Sequence, residues 1–584
     1  MNRRTIGLMS AALFFLMGFV LVDKQLFAVP NKTNQKTQNK SAAKKLAKED
    51  PDQDNVIIAD VDVDVDDEQI AVDEFDLKKK QKEVRSLLER GVEFCANNSM
   101  PVICNALTHT KTFIEGDLYL FLLDTKGVVY AHGEEESLLW SNLWDHRDSF
   151  GALVVQSIIK TANAGAGWLT YEWSGAVKVS FVQKIKIDDK DYVIGCGYYP
   201  HSKKYAVIGL VKGAVSLFNQ DVKSGYPVGD TFGAMGYVKS ERFVYGDLYL
   251  YALDFNGVIR AQGEEPGLIG SNALERKDAK GKAINKQIIA KLKTKPEGEG
   301  IWIEYTSKNA LKYTYAEKVK DAKGNEYFIA SGYYPEVDRD KAVDLVRRGY
   351  QFMKSSGVSV TAKEFTDKNI GTYRLGDLYL FVYDMKGNCI AHGGNNALVG
   401  HNQFDEKDQD GRYIVREMID QANAGGGWVD FKLKNSFQAT YIEKIEMGVD
   451  TYLIGAGMFP VAKPETMTLL VKSAIGYLQT HSEDETFATL ISRKSGFVRG
   501  DLCVFVVDLD GYCYAWGDSY ELIWKNLLDW KDDEGKLFIK NMIEGSSQGP
   551  DYFIYKFNKK MRVDYAEQVE KNGKQYLVGS GFYK

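Results

Sequence analysis

Gly116-Asp117-Leu118-Tyr119-Leu120-Phe121 decides how this sequence is read, because it returns. Gly246-Asp247-Leu248-Tyr249 and Gly376-Asp377-Leu378-Tyr379 repeat it, and Gly500-Asp501-Leu502-Cys503 repeats it with one change. The aspartates stand 130, 130 and 124 residues apart. A fixed period sets the architecture before any local reading. This one has the length of a whole small domain rather than of a solenoid unit. Four copies of one fold are therefore expected.

Alternation along the motif puts Asp117, Tyr119, Phe121 and Leu123 on one face and Leu118, Leu120 and Leu122 on the other. The first face stays mostly aromatic in the other copies: Tyr249 and Tyr251, Tyr379 and Phe381, Cys503 and Phe505. The second stays aliphatic and is expected to carry a helix. The aromatic face is either plain core or the floor of a small-ligand pocket. Ahead of the strand, 77–96 spaces Val84, Leu87, Leu88 and Val92 as a helix does, and 342–353 and 466–478 repeat this.

After the strand, Asp124-Thr125-Lys126-Gly127 makes a hairpin turn. Ala131-His132-Gly133 follows, matched by Ala261-Gln262-Gly263, Ala391-His392-Gly393 and Ala515-Trp516-Gly517. Asp148, Asp278, Asp408 and Asp532 precede helical stretches (153–162 in the first copy), where capping would account for a carboxylate. Trp168, Trp302, Trp428 and Tyr552 open the closing strands; ten residues on stand Lys178, Lys312, Gln438 and Arg562. Gly195 and Gly197 on the last strand mark close approach by backbone or ligand. Helix, two strands, helix and three strands, joined by hairpins, read as α+β with an antiparallel sheet.

The 584 residues suit about four domains. A net charge of −6 argues against nucleic acid as a partner, which calls for a clustered basic surface. None of the six cysteines forms a C-x-x-C pair, although Cys95 and Cys104 are near enough in sequence to bridge. Arg3 and Arg4 precede an uncharged run, 6–22, and Ala28 follows. Residues 1–28 are thus a cleaved secretory signal or an uncleaved membrane anchor, and both export the rest. Residues 29–76 read as a polar linker. The acid–valine alternation at 60–67 is a solvated spacer rather than a calcium tract, since nothing fixes ligand geometry. Gly545-Ser546-Ser547-Gln548-Gly549 matches a nucleophile-elbow formula, but it follows a helix and precedes a strand, the reverse of what that turn requires. No catalytic, cofactor or metal constellation emerges, so a non-enzyme is expected. The strand-like close at Lys584 leads to the expectation of no cytoplasmic output domain.

Taken in order, Gly-Asp-Leu-Tyr-Leu-Phe, Asp-x-x-Gly, Ala-His-Gly, Gly-x-Gly-Trp-x-x-Tyr and Gly-x-Gly-Tyr resemble single Cache domains. These are extracytoplasmic, PAS-like sensor modules of bacterial chemoreceptors and histidine kinases. The resemblance implies four domains, at 77–200, 203–335, 338–460 and 464–584. It implies a pocket on each sheet for a small organic ligand, a short carboxylate or an amino acid. Lys178, Lys312 and Arg562 would pair an anion. His132, Gln262 and His392 would donate hydrogen bonds. Tyr119, Tyr249, Tyr379, Trp168, Trp302 and Trp428 would form the walls. Gln438 in the third copy, and Cys503 and Trp516 in the fourth, depart from the pattern, so unequal binding is expected. The implied function is an exported, periplasmic or secreted, sensory or solute-binding protein working with a separate membrane receptor or kinase. The competing reading is a structural rod whose pockets no longer bind. Cations enclosed beside the aromatic face favour the first reading; cations in solvent favour the second.

Overall fold

The computed structural model of the chain describes residues 68–110, 112–236, 242–367, 371–434, 436–493 and 495–584. The expected leader, 1–28, the calcium-or-spacer tract at 60–67 and most of the linker lie outside them. The first helix, Glu68–Ala96, begins ahead of residue 77 and so takes in the linker's end. Among the described residues no helix is long and apolar enough to cross a membrane.

The first sheet is built from β1 (Ile114–Glu115), β2 (Leu118–Asp124), β3 (Val129–His132), β4 (Gly167–Trp173), β5 (Ala176–Ile187) and β6 (Lys190–Tyr198). Its order is β1-β2-β6-β5-β4, with β3 also on β2, and all pairings are antiparallel. The sheets built on Leu378–Asp384 and Leu502–Asp508 have the same order. In the second the motif strand is split into Leu248–Tyr249 and Tyr251–Asp254. Each sheet with its helices is called a module below, numbered in chain order. The fold is thus mixed helix and antiparallel sheet.

The two faces of β2 are used as their side chains dictate. Leu118, Leu120 and Leu122 bury against Val84, Leu87 and Leu88 of the first helix. Phe121 and Leu123 pack under the helix Val154–Asn163, with Val155, Ile158 and Ile159. Gly195, opposite Phe121 in register, gives the phenylalanine ring room that a Cβ would take. Protein, not ligand, is what approaches this glycine. The six cysteines are all unbonded, Cys95 and Cys104 included.

The four aspartates expected to cap helices do something else. Asp148 accepts the Ala152 N–H at 2.7 Å, while its own N–H donates to the Ala152 carbonyl at 3.0 Å. It closes a tight turn, and the helix begins later, behind Leu153. Asp278, Asp408 and Asp532 hold the matching turns through Lys282, Arg412 and Lys536. A short polar side chain can satisfy a turn as well as a helix end, so sequence position alone did not separate the two.

The glycine of each Gly-Asp motif joins one module to another. Gly116, Gly246, Gly376 and Gly500 all have φ between 58° and 64°. Their N–H groups donate to Asn558, Lys434, Lys308 and Ser174, at 2.9, 2.9, 2.9 and 2.8 Å. Each acceptor lies in the turn between the two strands corresponding to β4 and β5 of another module. Modules 1 and 4 therefore clasp each other reciprocally, as do modules 2 and 3. Modules 1 and 2, and modules 3 and 4, touch differently: Gly209 of the helix Lys203–Lys223 lies against Val177 of module 1, and Ser473 of the helix Lys463–Thr480 donates to Asp410 of module 3.

A Cβ at Gly500 would strike the Tyr199 ring of module 1, at a backbone angle L-residues avoid. Gly500→Ala is expected to lower stability by about 2 kcal/mol, the usual scale for a non-glycine residue held in left-handed backbone. Urea unfolding reads this directly, and a midpoint equal to that of the unaltered chain would refute it.

Candidate functional site

The cations of the closing strands are enclosed. Lys178, on β5, is 2% exposed and Lys312 is 3% exposed. Strand alternation puts Lys178, Ser180 and Val182 on the same side as Tyr119 and Phe121. The Lys178 ammonium donates to the Tyr119 hydroxyl. It also lies 4.0 Å from the Tyr119 ring centre and 5.1 Å from that of Tyr199. Such cation–aromatic contacts gain strength where water is excluded. Burial nonetheless pushes Lys178 down to about 8, partly countered by the nearby Glu134 charge. Tyr171, beside Lys178 in register, bonds the Ser180 hydroxyl at 2.9 Å.

His132 stands against Tyr119 with ring centres 4.9 Å apart. Its Nδ1 accepts the Glu135 N–H at 2.8 Å, which puts the proton of the neutral ring on Nε2. Burial, with Lys178 and Arg493 nearby, holds His132 well below the ordinary histidine range, so it stays neutral. It can donate from Nε2, as expected of it, but it carries no charge to an anion.

Module 2 builds a similar arrangement, but there burial works against the Lys312 charge and the surrounding Tyr249, Tyr305, Tyr334 and Asp377 outweigh it, holding the ammonium above its ordinary range. Lys312 donates to the Tyr249 hydroxyl at 2.9 Å and lies 4.7 and 4.9 Å from the rings of Tyr249 and Tyr334. Gln262 takes the place of the histidine and accepts the Glu264 N–H at 3.4 Å. Burial works against the charge of Glu264, yet Lys308 and Lys312 hold its carboxyl down to about 2.

Modules 3 and 4 differ. Tyr379 and His392 keep their contact, with ring centres 5.1 Å apart, and His392 Nδ1 accepts the Asn395 N–H. Burial lowers His392 to about 4. Gln438 stands where the cation would be. In module 4, Trp516 stacks on Phe505 at 4.7 Å, filling space against Cys503. Arg562 is buried, but its Nε bonds Asp564 at 2.8 Å, and Tyr555 donates to the same carboxylate at 2.5 Å. The first three modules have Ser180, Thr314 and Thr440 at the Asp564 position. Arg562 thus carries its own counter-ion.

Trp168 and Trp302 are not brought to Lys178 and Lys312, and Trp428 carries the Arg339 guanidinium 4.4 Å from its ring centre instead. Trp168 faces Phe181 and Tyr198 on the side covered by the first helix; Trp302 meets Tyr315 and Tyr333, and Trp428 meets Tyr441, on the same side of their sheets. Trp168 is opposite Phe181 in register, three residues beyond Lys178, and an odd offset puts it on the other face. The walls beside the lysines are instead tyrosines: Tyr119, Tyr171 and Tyr199 in module 1, Tyr249, Tyr305 and Tyr334 in module 2.

Glu134 and Glu264 are the site residues that sequence reading missed. Each lies two residues beyond His132 or Gln262, and the other copies have Gly394 and Asp518 there. The signal was present in His-Gly-Glu and Gln-Gly-Glu, but only the fold brings these carboxylates to a lysine and a tyrosine distant in sequence. Chemically, modules 1 and 2 each bring a buried ammonium, phenol hydroxyls and a glutamate within electrostatic reach of one another.

Residues 93–336 match the family model described as Cache domain, and residues 339–449 match Single Cache domain 2. The chain carries Cache domains. Among curated proteins it is similar to the sensor histidine kinase MctS of Rhizobium johnstonii, at 33% identity over 87 residues. That match covers 14% of this chain and 19% of the kinase, so the chain spans about a fifth of that relative's length. Among solved structures, a methyl-accepting chemotaxis protein from Vibrio parahaemolyticus is 21% identical, with a TM-score of 0.19, covering 23% of this chain and 97% of that one. The ligand-binding domain of the Pseudomonas fluorescens chemoreceptor CtaA, in complex with L-isoleucine, is 12% identical, with a TM-score of 0.17, covering 41% and 83%.

Proposed function

We propose that this chain is an exported sensor or solute-binding protein whose four modules, 77–200, 203–335, 338–460 and 464–584, are each a Cache domain. Its task is to bind a small organic ligand outside the cytoplasm, exported by 1–28 as a cleaved leader or held by it as an anchor, and to present the bound state to a separate membrane receptor or kinase. It works by binding, not catalysis. The observation that carries this reading is the enclosure of Lys178 and Lys312 between tyrosine rings beside a carboxylate. A buried ammonium is costly to fold around, and a site that keeps one is a candidate for function.

The charges favour an amino acid over a simple carboxylate. A lone anion at Lys178 would face Glu134, whereas a zwitterion offers its carboxylate to the lysine and its ammonium to the glutamate. Modules 1 and 2 are the binding modules in this reading, because module 3 has Gln438 and the charge of Arg562 in module 4 is already paired with Asp564.

Thermal shift with the twenty L-amino acids and with short organic acids tests the proposal. A ligand of the folded state present at about 100 times its dissociation constant adds about 2.7 kcal/mol of stability. At least one amino acid should raise the midpoint, and Lys312→Met combined with Lys178→Met should remove the rise. If no compound of either class shifts the unaltered chain, the proposal fails.

A further inference from the structure

We propose that modules 3 and 4 cap the pockets of modules 2 and 1, and that Arg374 and Arg493 are specificity-determining residues supplied across the clasp. This rests on the reading of modules 1 and 2 as the binding modules. Arg493 precedes the Gly-Asp strand of module 4. Its Nη1 donates to Ser174 Oγ of module 1 at 2.5 Å, and it pairs with Glu134 at 3.7 Å and Glu135 at 3.2 Å. Arg374 of module 3 pairs with Glu264 of module 2 at 3.4 Å. Glu134 and Glu264 occupy the same place at the rim of their pockets.

The two arginines do not correspond in sequence. Arg374 stands three residues before Asp377, and Arg493 eight before Asp501. Two different positions reaching one carboxylate is not simple inheritance from a repeated unit. The reverse direction is unused: module 3 has Gly394 at the rim, and Asp518 of module 4 makes no ion pair among the described residues. The modules with an available lysine receive an arginine, and the modules without one supply it.

Unpartnered polar atoms recur at both places. Among the described residues, Glu134 Oε2 and the Tyr199 hydroxyl are buried without a hydrogen bond, and so are Arg374 Nε and the Tyr334 hydroxyl, while Arg493 Nε and Nη2 face Glu135 and Glu134 as ion pairs without hydrogen bonds. Tyr199 and Tyr334 also link pocket to clasp. Each lies about one ring's width from its lysine, and each is pressed against a partner glycine, Gly500 or Gly376. In module 1 a carboxylate oxygen and a phenol hydroxyl left without hydrogen bonds near the lysine suit a ligand with both charges. Truncating one member of such a buried charge cluster costs binding directly.

Calorimetric titration of the full chain with each of the twenty L-amino acids separates the possibilities. Two binding phases are expected, one removed by Lys178→Met and the other by Lys312→Met. Arg493→Gln should weaken only the Lys178 phase, by at least about ten-fold, and Arg374→Gln only the Lys312 phase. Arg493→Lys should recover part of the loss. If the lysine variants remove the phases while both arginine variants leave them within about two-fold, the pockets stand and the caps fall. Equal loss of both phases in either arginine variant marks general unfolding and also overturns the caps. Binding to no amino acid, or binding indifferent to both lysines, overturns the pocket reading and the caps with it.

Discussion

Asp501→Ala should destabilise the chain by about 3 kcal/mol, the lower part of the range for breaking a buried ion pair from one side. The carboxylate is almost wholly buried at the clasp between modules 1 and 4. It accepts from His201 Nε2 at 2.7 Å and pairs with Lys463. Removing it leaves the Lys463 ammonium with only the more distant Asp117, at 3.5 Å. Burial opposes the charge of Asp501, but Lys463 and His201 outweigh it and hold the carboxyl well below the usual range. A depressed carboxyl stabilises above its unfolded value, about 3.9, and that contribution is lost as pH falls below it. The unaltered chain should therefore lose stability on acidification over this window more steeply than Asp501→Asn. Urea midpoints at pH 7 and pH 3.5 report both effects; a variant that matches the unaltered chain at both would remove this aspartate from the clasp's energetics.

Lys178→Met is expected to act in the opposite direction and to stabilise. The folded chain carries Lys178 at about 8, against an ordinary 10.5. At about 1.4 kcal/mol per unit, that is a penalty on the order of 3 kcal/mol. Below pH 8 both folded and unfolded chains hold the proton, and the penalty is present in full. Between pH 8 and 10.5 the folded chain has released its proton while the unfolded chain still binds one, so stability rises with pH. Methionine fills similar volume without charge. The gain of the variant should be greatest at pH 7 and shrink towards pH 10, as measured by paired denaturant titrations. A variant destabilised at pH 7 would show that the ammonium holds the pocket together instead of straining it. A site that weakens its own fold is what a binding role leads one to expect.

Much of this was legible in the sequence because its signals are local. Period two in Leu118 to Leu123 assigned the helix side and the aromatic side of the strand, and both assignments match the packing. Recurrence of Gly-Asp-Leu-Tyr gave the repeat, and the resemblance to Cache domains singled out Lys178 and Lys312, which are buried. Where the reading went astray, the local signal was ambiguous. Asp148 suits a turn as well as a cap. The resemblance to Cache domains made Trp168 a pocket wall, but register with Phe181 puts it on the other face.

Other features had no local signal. The Asp564 counter-ion of Arg562 lies two residues along the same strand face, visible only once that face is known to be closed to water. Arg493 and Glu134 are joined only because module 4 returns to module 1. From the sequence alone, then, the repeat, the α+β pattern and the faces of the strand were determined, since hydrophobic periodicity and turn chemistry act over a few residues. The tertiary structure decided what the Gly-Asp motif is for: its glycine has the backbone freedom and the free N–H to clasp a turn from a distant part of the chain, and its aspartate is buried in the resulting contact.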